Sequence, residues 1–176
     1  MSSFYQVPKL IFDPVAESIS GSVLLPADFS GGLRKQLEGH GINEIVSNSD
    51  EENLLDLGWW KQHKDNVDWI VCITQGMKEY TKYVTECGLQ VAKKGVCILD
   101  RLTFLEPVKS REEFLMNSSL IEMKILSPRP SFRADQTHLK DVVTSAWFIF
   151  QKPGAAPVST KISFALSWQR PGDLRL

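Results

Sequence analysis

The stretch Asp68-Trp69-Ile70-Val71-Cys72-Ile73-Thr74-Gln75-Gly76 decides how this chain is read. Its apolar run from Trp69 to Ile73 lacks polar alternation, which is the pattern of a strand buried on both faces of a parallel sheet. The run closes on a polar turn at Thr74, Gln75 and Gly76. The segment from Met77 to Lys93 then takes up helical spacing, with Tyr80, Val84, Cys87, Gly88 and Val91 on one side. In an open parallel sheet, ligands bind outside the carboxyl ends of the strands, so chemistry is expected at Ile73 to Gly76.

Strands and helices alternate outward from this point. Upstream, Leu10, Ile11, Val15 and Ile19 stand near helical spacing, with Pro14 expected to interrupt or kink the segment. Gly21 to Pro26 reads as a short strand, Ser30 to Gly39 as a turn entering a helix with Ser30 as N-cap, and Ile42 to Val46 as a second strand. An acidic loop with Asp50, Glu51 and Glu52 follows. Downstream, Val96 to Leu99 reads as a strand, Arg111 to Asn117 as a helix, and Ile121 to Leu126 and Val142 to Phe150 as strands. After a Pro-Gly-Ala linker from Pro153, the stretch Lys161 to Trp168 alternates like an exposed or added strand. The expected organisation is one α/β domain over 1–152 and a linker with a C-terminal strand or tail over 153–176.

Three downstream stretches carry a family resemblance: Lys94-Gly-Val-Cys-Ile-Leu-Asp-Arg-Leu-Thr-Phe-Leu-Glu106, Ser127-Pro-Arg-Pro-Ser-Phe132 and Ser145-Ala-Trp-Phe-Ile-Phe150. In that order, behind the strand at Asp68, they resemble the phage and bacterial adenine-N6 DNA methyltransferases, which use S-adenosylmethionine. The resemblance implies a Rossmann-like methyltransferase fold: a mostly parallel sheet, helices on both faces, and the strand at 142–150 inserted antiparallel. In that family the strand at Asp68 ends Asn-Pro-Pro-Phe or Asp-Pro-Pro-Tyr. Here it ends Ile73-Thr74-Gln75-Gly76, so no catalytic position is retained. Ile73 offers no side-chain acceptor to an exocyclic amine, and Gly76 offers no ring to stack on a flipped base. Tyr80, one helical turn later, is the nearest ring.

The cofactor positions are also altered. Family members read like Leu-Glu-Pro-Ala-Cys-Gly-Asp-Gly where this chain has Leu24-Leu-Pro-Ala-Asp-Phe-Ser-Gly31. Leu25 replaces the usual Glu, Phe29 a Gly and Ser30 an Asp, while Pro26, Ala27 and Gly31 remain. Where the resemblance implies an acid on the ribose hydroxyls, the chain has Ser47-Asn48-Ser49-Asp50. No bound cofactor is therefore expected. The competing reading is an active methyltransferase in which Pro26, Ala27, Asp28, Gly31 and Asn48 hold S-adenosylmethionine.

With a net charge of -1, the chain has no overall excess of cations to neutralise phosphates. Any nucleic-acid contact must be local, and Arg101, Arg129, Phe132, Arg133 and Lys140 are the candidates. The alternative is that Arg101 pairs with Asp100 or Glu106 and that Phe132 closes its loop over the core. A protein partner or a second copy of the chain is the other expected ligand, with Trp59-Trp60 as a core or interface anchor, and a purely structural subunit of a larger complex is the third reading. Cys72, Cys87 and Cys97 form no Cys-x-x-Cys pair and read as reduced core residues. His40, His63 and His138 lie far apart, so no metal site is expected. The absence of an apolar run of about eighteen residues and of a signal-like N-terminus sets the expectation of a cytoplasmic protein without a membrane span.

Overall fold

Seven strands pair into one sheet in the computed structural model, which describes residues 6–50, 52–74, 80–106, 108–117, 119–132, 143–152 and 159–169. They are β1 (Val23–Leu25), β2 (Ile45–Ser47), β3 (Trp69–Ile73), β4 (Gly95–Arg101), β5 (Leu120–Ser127), β6 (Ser145–Gln151) and β7 (Lys161–Leu166). The order across the sheet is β2-β1-β3-β4-β6-β5-β7. Strands β1 to β4 are parallel, β6 runs antiparallel between β4 and β5, and β7 is added parallel to β5. This is the mostly parallel α/β sheet expected from the sequence, with the aromatic strand inserted in reverse.

The unbroken apolar runs arise because both faces of the central strands are covered. Val23, Leu25, Val71, Ile73, Cys97, Leu99, Trp147 and Ile149 enter one core. The alternate residues Leu24, Ile70, Cys72, Val96, Ile98, Phe148 and Phe150 enter another. Helix α1 (Gly32–Gly39) and a short helical turn at Asp13–Ser18 pack on the first core through Leu33, Leu37 and Val15. Helices α2 (Leu57–Gln62), α3 (Tyr80–Val91) and α4 (Lys109–Asn117) cover the second through Trp60, Val84 and Phe114. Full burial of one such side chain contributes about 1.5–3 kcal/mol, so the two-sided sheet dominates the stability of the domain.

Three expectations are corrected locally. Pro14 does not interrupt its segment: it stands in the first helical turn, where its missing N–H has no intrahelical partner to lose. The second strand begins at Ile45 rather than Ile42, because the Ile42 amide bonds to Leu37 O at 3.1 Å and its side chain closes the core beneath α1. The stretch read as an acidic loop contains a 3-10 turn at Glu52–Leu55 and leads into α2, whose N-cap Asp56 accepts from Gly58 N at 2.7 Å. Trp60 on α2 is buried and donates Nε1–H to Leu54 O at 2.9 Å.

Candidate functional site

The parallel strands β1, β2, β3, β4 and β5 end on one edge of the sheet, where β6 begins, since Arg101 at the end of β4 lies opposite Ser145. Along this edge the chain changes strand order between β1 and β3, the place where an open sheet leaves a crevice.

At the end of β1, Asp28 is 7% exposed and faces the start of α1. Its carboxylate accepts from Leu33 N at 3.3 Å and from Arg34 N at 2.9 Å. The Ser30 hydroxyl accepts from Gly32 N at 3.2 Å, and Gly31, at φ +65°, is the N-cap residue itself. A helix start normally leaves about four amides unpaired and ready for an anion, but the first three of α1 are taken by the chain's own side chains. Phe29 packs half-buried against the core beneath α2 and α3. Pro26 is buried and Ala27 half-buried at the strand end.

Asn48, just past β2, ties two loops together. Its Nδ2 donates to Pro26 O at 3.0 Å and Asp50 O at 2.7 Å, while its Oδ1 accepts from Asp50 N at 3.1 Å and from Asn53 Nδ2 at 3.2 Å. Arg34 reaches from α1 to Ser47 Oγ at 3.1 Å and pairs with Glu38 at 2.9 Å. The residues at the ends of β1 and β2 thus bind one another.

At the end of β3, Ile73 is core and Thr74 is fully buried, its amide bonding to Leu99 O at 3.0 Å. Gln75 and Gly76 lie outside the described residues. The Thr81 hydroxyl on α3 is 2.6 Å from Asp100 Oδ2 and 2.9 Å from Thr74 Oγ1. It has one proton and the carboxylate is the stronger acceptor, so Thr81 donates to Asp100 and accepts from Thr74. The Arg101 amide donates to Asp100 Oδ1 at 2.7 Å. Burial raises the Asp100 carboxyl above its ordinary range, against the lowering effects of the Thr81 bond, the Arg101 amide and the charges of Arg101 and Arg111. Tyr80 is half-buried against the other core, the one that α2, α3 and α4 cover.

The candidate cationic residues divide by position. Arg101 is half-buried, and its Nε makes no hydrogen bond although it is shielded from solvent. Arg129, two residues past β5, is exposed at the same edge of the sheet. Phe132 is 6% exposed in the same core as Leu126 and Trp147, and its carbonyl accepts from Gln6 N at 2.9 Å. Arg133 and Lys140 lie outside the described residues. Among the described residues no cluster of His, Cys, Asp and Glu could hold a metal ion, and no helix is long and apolar enough to cross a membrane. The three cysteines are free and buried, and burial raises the Cys72 and Cys97 thiols well above their ordinary range.

The Thr74, Thr81 and Asp100 cluster was not anticipated as a unit. An acidic residue at the end of a buried strand is a legible signal at Asp100, but nothing in the spacing marks Thr81 as its donor.

With this geometry the chain has the Rossmann-like fold of class I S-adenosylmethionine-dependent methyltransferases. It superposes on a Listeria monocytogenes protein described as such a methyltransferase with a TM-score of 0.57 and 16% identity, over 98% of this chain and 69% of that one. An Agrobacterium tumefaciens protein described as an O-methyltransferase aligns with a TM-score of 0.50 and 8% identity, over 83% of this chain and 78% of that one. At these identities the likeness is one of fold. No protein-family model and no curated protein sequence matches the chain.

Proposed function

We propose that this chain is a methyltransferase-fold protein that binds nucleic acid and does not transfer methyl groups. The observation that carries the reading is the self-saturation of the cofactor edge: Asp28 and Ser30 cap α1 while Asn48 holds the loops after β1 and β2. A methionine carboxylate or a ribose arriving there would have to displace bonds within the chain rather than fill open donors. At the catalytic edge Ile73 and Thr74 are buried in place of an amine acceptor, which supports the same conclusion for adenine-N6 chemistry.

The nucleic-acid half of the proposal rests on Arg101 and Arg129 at one sheet edge, with Arg133 and Lys140 following Arg129 in the sequence. Arg101 is half-buried and Arg129 exposed at this edge, and a phosphate is the acceptor that a guanidinium takes most strongly. The net charge of -1 keeps the interaction local and salt-sensitive.

Two titrations test this reading. Calorimetry with S-adenosylmethionine is expected to give no saturable heat at micromolar ligand. Duplex DNA is expected to bind at low salt and to be lost when Arg129 and Arg133 are both reversed to Glu. Saturable cofactor binding would instead favour the active adenine-N6 methyltransferase with Asp28 and Asn48 at its cofactor. DNA binding untouched by the double reversal would remove the basic loop from the site.

A further inference from the structure

β7 is the last strand in the sheet, and among the described residues its outer side pairs with no strand. Ile162, Phe164 and Leu166 alternate along it and are 60%, 64% and 70% exposed. By register they stand beside Met123, Ile125 and Ser127 of β5. Met123 and Ile125 belong to the core that α3 and α4 cover, so the apolar surface of the sheet continues past the helices onto β7. A charge on an edge strand ordinarily blocks further pairing, but Lys161 is drawn to Glu122 of its own β5 at 3.2 Å.

We propose that β7 pairs antiparallel with β7 of a second copy of this chain, about a two-fold axis perpendicular to the sheet. The exposed parts of Ile162, Phe164 and Leu166 amount to roughly 400 Å² per chain, as large as the biggest apolar patch an ordinary monomer leaves open. Edge pairing covers the outer flanks of these side chains and the backbone edges on both chains, at most on the order of 1,000 Å², the lower limit for a specific interface.

The symmetry also fixes the register. Residues directly opposite in an antiparallel pair point to the same face, and a perpendicular two-fold axis keeps each face on its own side. Ile162, Phe164 and Leu166 therefore meet only one another. Centring the pair on Phe164 sets Phe164 against its own copy and Ile162 against Leu166 of the partner subunit. A register centred one residue earlier would leave Leu166 without an apolar partner. In the Phe164 register the two Lys161 side chains fall at opposite ends of the ribbon, about 20 Å apart.

Light scattering on the full chain at about 100 μM, well above a Kd of about 10 μM, reads the oligomeric state. The expected mass is twice 19.9 kDa, or 39.8 kDa, falling to 19.9 kDa in Phe164→Lys with an unchanged circular dichroism spectrum. Should Phe164→Lys fail to fold, Phe164→Cys decides the matter. On the axis its Cα atoms would approach to about 5 Å, within disulfide reach, while those of Ile162→Cys would stand about 14 Å apart. Oxidation is thus expected to crosslink the first variant and not the second, with little background from the buried Cys72, Cys87 and Cys97. A monomeric wild type, a dimer indifferent to Phe164→Lys, equal crosslinking at both positions, or a stripe covered only by a different protein overturns the proposal.

Discussion

The Thr81 hydroxyl donates to Oδ2 of Asp100 across 2.6 Å and so joins the first turn of α3 to the carboxyl end of β4. Burial is the dominant influence on this carboxyl and raises it above its usual 3.8. The folded protein then holds the proton more tightly than the unfolded chain does. The contribution of Asp100 to stability is complete below 3.8 and is lost as pH rises through the higher folded value. Asp100→Asn cannot ionise, so its stability relative to wild type is expected to improve between about pH 3 and pH 7 in denaturant titrations. A constant difference would show that this carboxyl is not perturbed by folding.

Asp28 is expected to matter for stability before it matters for any ligand. Asp28→Ala leaves the Leu33 and Arg34 amides without their acceptor and should cost about 1–2 kcal/mol in urea unfolding. Asp28→Asn keeps an acceptor and should cost less. Unchanged stability of Asp28→Ala, together with altered S-adenosylmethionine binding, would assign Asp28 to a cofactor instead.

Gly95 opens β4 where no side chain fits. A Cβ there would overlap the Phe150 carbonyl oxygen and stand 3.0 Å from Trp69 Cζ3, and sheet backbone does not yield easily. Gly95→Ala is expected to lose about 3 kcal/mol or more in thermal or urea unfolding. Gly88→Ala on α3 meets the Val96 side chain at 2.8 Å and should lose less, because its clash is with side chains and alanine favours the helix by about 0.5–1 kcal/mol.

If DNA binds through the sheet edge, Arg101→Gln should weaken it and reduce the slope of log affinity against log salt by about one. Arg111→Gln serves as the contrast, because Arg111 already donates to Thr103 O at 2.9 Å and Phe104 O at 2.6 Å. It should affect stability rather than the salt slope. Equal slopes in wild type and Arg101→Gln would exclude a phosphate contact at that residue.

The sequence by itself determined the sheet. Trp69 to Ile73 and Val96 to Leu99 are apolar without alternation because helices cover both faces, and that requirement can be read from a single strand. The aromatic strand from Ser145 to Phe150 was legible for the same reason, and the losses at Ile73 to Gly76 needed only the residue types. What the side chains at the strand ends do was decided by tertiary structure. Asp28 reads as a candidate cofactor ligand, yet its oxygens meet amides of Leu33 and Arg34, because the loop turns the carboxylate onto α1. Phe132 reads as a candidate base-stacking ring, yet the chain after β5 folds it into the core that also holds Leu126 and Trp147. Thr81 and Asp100 are 19 residues apart in sequence and meet only because β3 and β4 are adjacent and α3 crosses between them. Local periodicity reports which faces a segment must bury. Hydrogen bonds between segments depend on the register of the assembled sheet, and no single segment encodes it.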